Sequence, residues 1–271
     1  MDRLQREGAQ PGRSSGGARR ARPDARGPID SPGALAREVG AFLRASLLVR
    51  AHHPAGSRRS GARRRWLVVG LTIVLGAVML GLGVGTRPGD PLFYLATTGV
   101  AVLWAVGALA SGSLDLGRAR SRAGGSSLGV LQGFILGALL LAIFLAGALM
   151  VGQVPWLRGP VAELLDHARY ASLPVVALIT IVSGIAEELF FRGAVYAAFP
   201  ERWAIPGSTV LYAASTLFTG VPLLTFAAVC LGLLTAAQRR VTGGVLGPIS
   251  SHLTWSLGML LLLPQFPNFG G

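Results

Sequence analysis

Lysine is absent from this 271-residue chain, cysteine occurs once, and charged residues make up only 14% of it. Each shortage excludes something. Cys230 stands alone inside an apolar run, so an intramolecular disulfide and a thiolate metal cluster are both excluded, and the residue is assigned to packing. With so few charges and a mean hydropathy of +0.55 the chain is too apolar for a soluble globule and reads as an all-α, polytopic membrane protein. The opening residues hold no apolar run of the kind a cleavable signal peptide needs, so the spans themselves are expected to direct insertion.

What is present in abundance is apolar sequence. Seven runs approach the ~20 residues needed to cross a bilayer: 66–85, 92–110, 128–151, 172–199, 205–219, 221–238 and 243–263, the fifth being short. The formal charge of +13 comes entirely from arginine, and its placement alternates. Arg58, Arg59, Arg63, Arg64 and Arg65 precede the first run; Arg118, Arg120 and Arg122 follow the second; Arg202 follows the fourth; Arg239 and Arg240 follow the sixth. By the positive-inside rule these segments are cytoplasmic. The expectation is an integral protein of a bacterial cytoplasmic membrane, N-terminus inside and C-terminus outside, with membrane lipid as its constant partner.

Five segments follow from this reading: a basic N-terminal segment (1–65), three accessory spans (66–152), an outer connection (153–171), a four-helix core (172–264) and a short tail (265–271). Residues 1–32 are Gly, Pro, Ser, Ala and Arg with few apolar side chains, a composition expected to stay disordered. Arg19, Arg20, Arg22 and Arg26 have no interleaved aromatics for base stacking, so no nucleic acid is expected; topology and anionic lipid account for the charge. Leu35, Val39, Phe42, Leu43 and Ser46 fall on one face of a predicted surface helix. His52 and His53, in the linker after it, lack the further ligands of a metal site. Val161, Leu164, Leu165 and Ala168 predict a second interfacial helix, with His167 on its wet face. Gly81 with Gly85, and Gly129 with Gly133, have the spacing that lets helices approach closely.

Against this background the stretch 183–192, Ser-Gly-Ile-Ala-Glu-Glu-Leu-Phe-Phe-Arg, stands out. Glu187 and Glu188 are the only acids in any of the long apolar runs. A charge at bilayer depth costs about 2.5–3.5 kcal/mol on insertion scales, and by default it marks function. On a helix Glu188 and Arg192 are i,i+4 neighbours in the favourable order, a structural ion pair. Glu187 points about 100° away and has no partner in its own segment, which leaves it available for chemistry. The bland alternative is a polar pin between helices. His252 is the only histidine in an apolar run, and Ser256 follows it on the same helical face.

Glu187-Glu188-Leu-Phe-Phe-Arg192 in one membrane helix, with His252 in a late one, resembles the CPBP family of intramembrane proteases. That family includes the CAAX prenyl endopeptidases of the Rce1 type and Abi-like proteins. The likeness covers 172 to about 263. The family pattern is EExxxR, FxxxH and HxxxN or HxxxD. Here the second motif falls on Tyr212-Ala-Ala-Ser-Thr216, with no histidine between Arg192 and His252, and the third ends in Ser256. The resemblance implies that Glu187 activates water and that His252, with Ser256, steadies the oxyanion. Thr216 stands where an imidazole is expected and cannot take a proton near neutral pH. Glu187 is then the sole base. Two carriers, Glu187 and His252, fall short of a zinc site's three protein ligands, so no metal or cofactor is expected.

The leading expectation is therefore a glutamate-dependent endopeptidase acting on a membrane-anchored peptide or protein tail. One rival is a catalytically degenerate scaffold or immunity protein of the same fold. The other is a transporter relaying protons through Glu187 and His252.

Overall fold

A computed structural model describes residues 32–49, 61–87, 90–117, 119–120, 126–127, 129–169, 172–266 and 269. The expected disorder before residue 32, the linker with His52 and His53, Arg118, Arg122 and the side chain of His167 lie outside what is described. The chain divides into two units, Met1–Val39 and Gly40–Gly271, and the spans all belong to the second.

The helices are α1 (Pro32–Leu47), α2 (Ala62–Val84), α3 (Pro91–Ser111), α4 (Val130–Val151), α5 (Pro155–Arg169), α6 (Leu173–Glu188), α7 (Tyr196–Ala198), α8 (Glu201–Leu217), α9 (Pro222–Thr242) and α10 (Leu246–Leu262). A π-helical stretch, Leu189–Val195, joins α6 to α7 without a break. Among the described residues the non-helical pairing is a two-residue antiparallel ladder, Ala119–Arg120 with Ser126–Ser127, in the connection between α3 and α4. Local chemistry sets several boundaries. Asp90 caps α3 by accepting from the Leu92 N–H at 2.8 Å, ahead of Pro91. Gly243 ends α9 in the left-handed region at φ 71° and returns its N–H to the Arg239 carbonyl.

Among the described residues six helices are long and apolar enough to cross a membrane, and the chain is an integral membrane protein. The run 205–219 becomes α8, which at 17 residues is the short member, about 26 Å at 1.5 Å per residue. It packs along α2 from Trp66 to Gly81. Phe199, just before α8, packs edge-on against Trp66 at the start of α2, with ring centroids 4.9 Å apart. Phe218, just after α8, lies against Gly81 near the end of α2. Among the described residues there are therefore six candidate spans, with α8 packed beside them as a shorter helix. Leu67, Leu131 and Met150, each more than 70% exposed, show the bare apolar faces that lipid covers.

Among the described residues, Arg64 and Arg65 bind helix carbonyls at one end of this bundle. Arg64 donates to Ala110 O at 2.8 Å, and Arg65 donates to Ser111 O at 3.3 Å and Ala197 O at 3.2 Å. These are the C-terminal ends of α3 and α7, where cations are favourable. At the same end the side chain of Gln132 donates to the buried Ser46 of α1 at 2.8 Å.

The first three spans pack tightly on the last four. Trp104 of α3 stacks on Phe190 at 4.8 Å and meets Phe191 edge-on at 5.1 Å, anchoring the π-helical stretch. Between α4 and α10 the small residues differ from the pair read in the sequence. Gly129 is the N-cap of α4, at φ 74°; the close packing is made by Gly133 and Gly137. A Cβ on Gly133 would lie 2.4 Å from Gly247 O, and one on Gly137 would lie 2.5 Å from Ser251 O. The Ser251 hydroxyl oxygen also lies 2.8 Å from both Gly133 O and Gln238 Oε1, within reach of either for its one proton. Gly137→Val should therefore push α10 away beside His252 and lower the thermal unfolding temperature in detergent, at about the 1–3 kcal/mol typical of overpacking. Gly147→Val, on the same helix with no atom within 4 Å of its Cβ position, should leave it unchanged.

Candidate active site

The rod formed by α6, the π-helical stretch and α7 carries both glutamates. Glu187 lies roughly 21 Å along it from Leu173 and roughly 17 Å from Ala198, counted at 1.5 Å per residue. The π-helical stretch begins directly after Glu188, a deformation that recurs at functional sites. It is braced from α9, where Arg239 donates to the Arg192 carbonyl at 2.9 Å.

Glu188 is fully buried and is shared between two partners. Arg192 Nε approaches its Oε2 at 3.2 Å, an ion pair whose angle falls outside hydrogen-bond geometry. His252 Nδ1 lies 2.8 Å from its Oε1. Sequence spacing linked Glu188 to Arg192 alone; the histidine comes from α10, which packs against α6. Gly184 permits this approach, since a Cβ there would sit 3.0 Å from the Leu253 side chain and 3.6 Å from the His252 ring.

The orientation of His252 follows. A carboxylate paired with arginine only accepts, so Nδ1 is the donor to Glu188 in either charge state of the ring. Nε2 then points to the other glutamate, with Glu187 Oε2 at 4.0 Å. As neutral imidazole it offers a lone pair there; as imidazolium it offers a proton. Glu187 accepts a hydrogen bond from Tyr212 Oη of α8 at 2.7 Å. It is 24% exposed, whereas Glu188 is sealed and His252 nearly so. The cluster thus opens at the Glu187 carboxylate, the atom set facing His252 Nε2.

Thr216 and Ser256 stand at the edge of this cluster with their hydroxyls turned into their own helices. Thr216 Oγ1 donates to Ala213 O at 2.7 Å and meets Thr225 Oγ1 of α9 at 3.1 Å. Ser256 Oγ donates to the carbonyl of His252 at 2.9 Å, touching the cluster only through the backbone. The residue that α8 sends to Glu187 is Tyr212, one turn before Thr216. The available signal was its place on the same helical face as position 216; a phenol inside an apolar run is amphipathic and needs a partner when buried.

Among the described residues no group of three His, Cys, Asp or Glu side chains is arranged to hold a metal ion. Glu188 is already committed to Arg192 and His252, which leaves the Glu187 carboxylate and His252 Nε2 as the remaining ligand atoms of the cluster.

Comparison with known proteins yields one family. Residues 169–258 match the family model described as Rce1-like, type II CAAX prenyl endopeptidase. No curated protein and no solved structure matches the chain. The matched stretch contains the Glu187–Glu188–Arg192 motif, Tyr212 and His252. The segment from 169 to 258 is thus similar to the Rce1-like family, and it is the part of this membrane protein that holds the glutamate motif and the late histidine.

Proposed function

We propose that the protein is a glutamate-dependent intramembrane endopeptidase. The observation that carries the reading is a partly exposed carboxylate, Glu187, facing Nε2 of a histidine whose other nitrogen is fixed by a buried Glu188–Arg192 pair. Every part has a task in peptide hydrolysis. Glu187 takes a proton from a water whose oxygen attacks the scissile carbonyl carbon. His252, held by Glu188 and in its imidazolium form, turns its Nε2–H to that carbonyl oxygen and steadies the charge that develops on it. The proton on Glu187 then passes to the departing amine as the C–N bond breaks. Glu188 and Arg192 orient and neutralise; neither is spent in the reaction.

The substrate class follows from where the carboxylate lies. Glu187 is partly exposed in the middle of a long apolar helix, so the substrate is a peptide or protein tail held at the membrane, such as a prenylated one. A lipid-anchored peptide should be cleaved in vesicles at a rate at least tenfold above that of the same peptide without its anchor. Equal rates would remove the membrane-substrate reading.

A second reading has its own observation. Position 216 carries no base, and its hydroxyl is bonded to Ala213 and Thr225. A protein of this fold without turnover would bind a membrane peptide in the same place as a scaffold or immunity factor.

The arginine end of the bundle is assigned to the cytoplasm of a bacterial cell. The N-terminus is then inside and, with α8 counted as a crossing beside the six candidate spans, the C-terminus is outside. Reporter fusions after Arg122 and after Gly271 should report opposite compartments; the same compartment for both would overturn this topology.

A further inference from the structure

The geometry points to Tyr212 as the positioning residue for Glu187, the side chain that holds the general base in its working orientation. This rests on the endopeptidase reading above.

Glu187 has no partner in its own helix, and a carboxylate at the end of a three-bond side chain samples several rotamers unless something fixes it. The Tyr212 hydroxyl meets Oε2 at 2.7 Å. That same Oε2 is the atom 4.0 Å from His252 Nε2, so phenol and imidazole converge on one oxygen and leave Oε1 for the attacking water. The phenol itself has little freedom. Its ring is 6% exposed, tilted on Phe191 with centroids 4.7 Å apart, and overlain by the Arg192 guanidinium at 4.7 Å from its centroid. Arg192 is in turn fixed by Glu188, which fixes His252. One chain of contacts therefore sets the relative positions of base and histidine, and Tyr212 is the member that reaches the base. Thr216, on the same helix, is bonded elsewhere and cannot share this task.

Tyr212→Phe removes the hydroxyl and keeps the ring, its packing and the cation–π contact. Two measurements on the full chain in lipid vesicles test the proposal. The first is cleavage of a lipid-anchored peptide. Tyr212→Phe should lower kcat by about 10- to 100-fold, the scale of losing one hydrogen bond to a charged group, with KM unchanged and the protein still folded at the assay temperature. The second needs no turnover: labelling of Glu187 by an apolar carbodiimide, followed by mass spectrometry below the unfolding temperature. A carboxyl released by the phenol should label several-fold faster in Tyr212→Phe, while the sealed Glu188 stays unlabelled in both proteins. Parent-like kcat, or parent-like labelling of Glu187, overturns the proposal. A parent that cleaves no faster than Glu187→Gln overturns the endopeptidase reading instead, and the labelling alone then decides whether Tyr212 holds Glu187.

Discussion

Replacing Arg192 with alanine is expected to cost the protein most of its stability. The guanidinium is 1% exposed and its partner Glu188 is 0% exposed, at 3.2 Å. Removing one member of a buried ion pair typically costs about 3–5 kcal/mol, because the other charge stays behind without compensation. That is a large share of the roughly 5–15 kcal/mol that holds a typical domain folded. His252 does not repair the loss. It contacts the other oxygen of Glu188, at 2.8 Å, and its orientation depends on that carboxylate staying in place. The cation over the Tyr212 ring also disappears. Arg192→Ala should therefore lower both membrane abundance and unfolding temperature sharply, while Arg192→Lys, which keeps a charge, should fall between. An alanine variant as abundant and as heat-resistant as the parent would show that the pair carries no structural weight.

Much of this arrangement could be read from residue spacing, and what could not has a common cause. Glu188 and Arg192 are four residues apart on one helix, so their proximity is a local property of the chain. The apolar runs and the alternating arginines are local as well, and two of those arginines, Arg64 and Arg65, bind the carbonyl ends of α3 and α7. The contact of His252 with Glu188 depends on how far α10 is rotated and raised against α6, which no spacing within either helix specifies. The contact of Tyr212 with Glu187 has the same cause: whether its hydroxyl meets lipid or a carboxylate is decided by the rotation of α8. Thr216 shows the converse. Its position in the family pattern pointed to Glu187, yet a threonine hydroxyl in a helix has a carbonyl of its own within reach, and here it bonds Ala213 O. The π-helical stretch after Glu188 has no composition signal either; its aromatic pair packs against Trp104 from another span.

The second large effect concerns chemistry and leaves stability aside. Glu187→Gln keeps the volume of the side chain and an oxygen for the Tyr212 hydroxyl, but it removes the proton acceptor. A positioned general base contributes about 10²–10⁴ in rate, and with no imidazole at position 216 no second base stands ready to substitute. The variant should lose that whole factor in kcat while its unfolding temperature and abundance stay with the parent, since Glu188, Arg192 and His252 remain in contact without it. His252→Ala differs in kind. It should reduce turnover by about 10²–10³, the scale of one lost oxyanion donor, and it should also lower stability, because Glu188 loses a hydrogen-bond partner.

The central claim is that Glu187 performs hydrolysis in the plane of the membrane. Its most direct measurement is mass spectrometry of a lipid-anchored peptide incubated in vesicles with the purified parent protein and, in parallel, with Glu187→Gln. The expected result is a pair of new fragments from the parent, with one solvent oxygen entering at the new carboxyl terminus in labelled water, and neither fragment from the variant. Fragments in equal amounts from both proteins would contradict the glutamate mechanism, and a parent that yields none would contradict the endopeptidase reading itself.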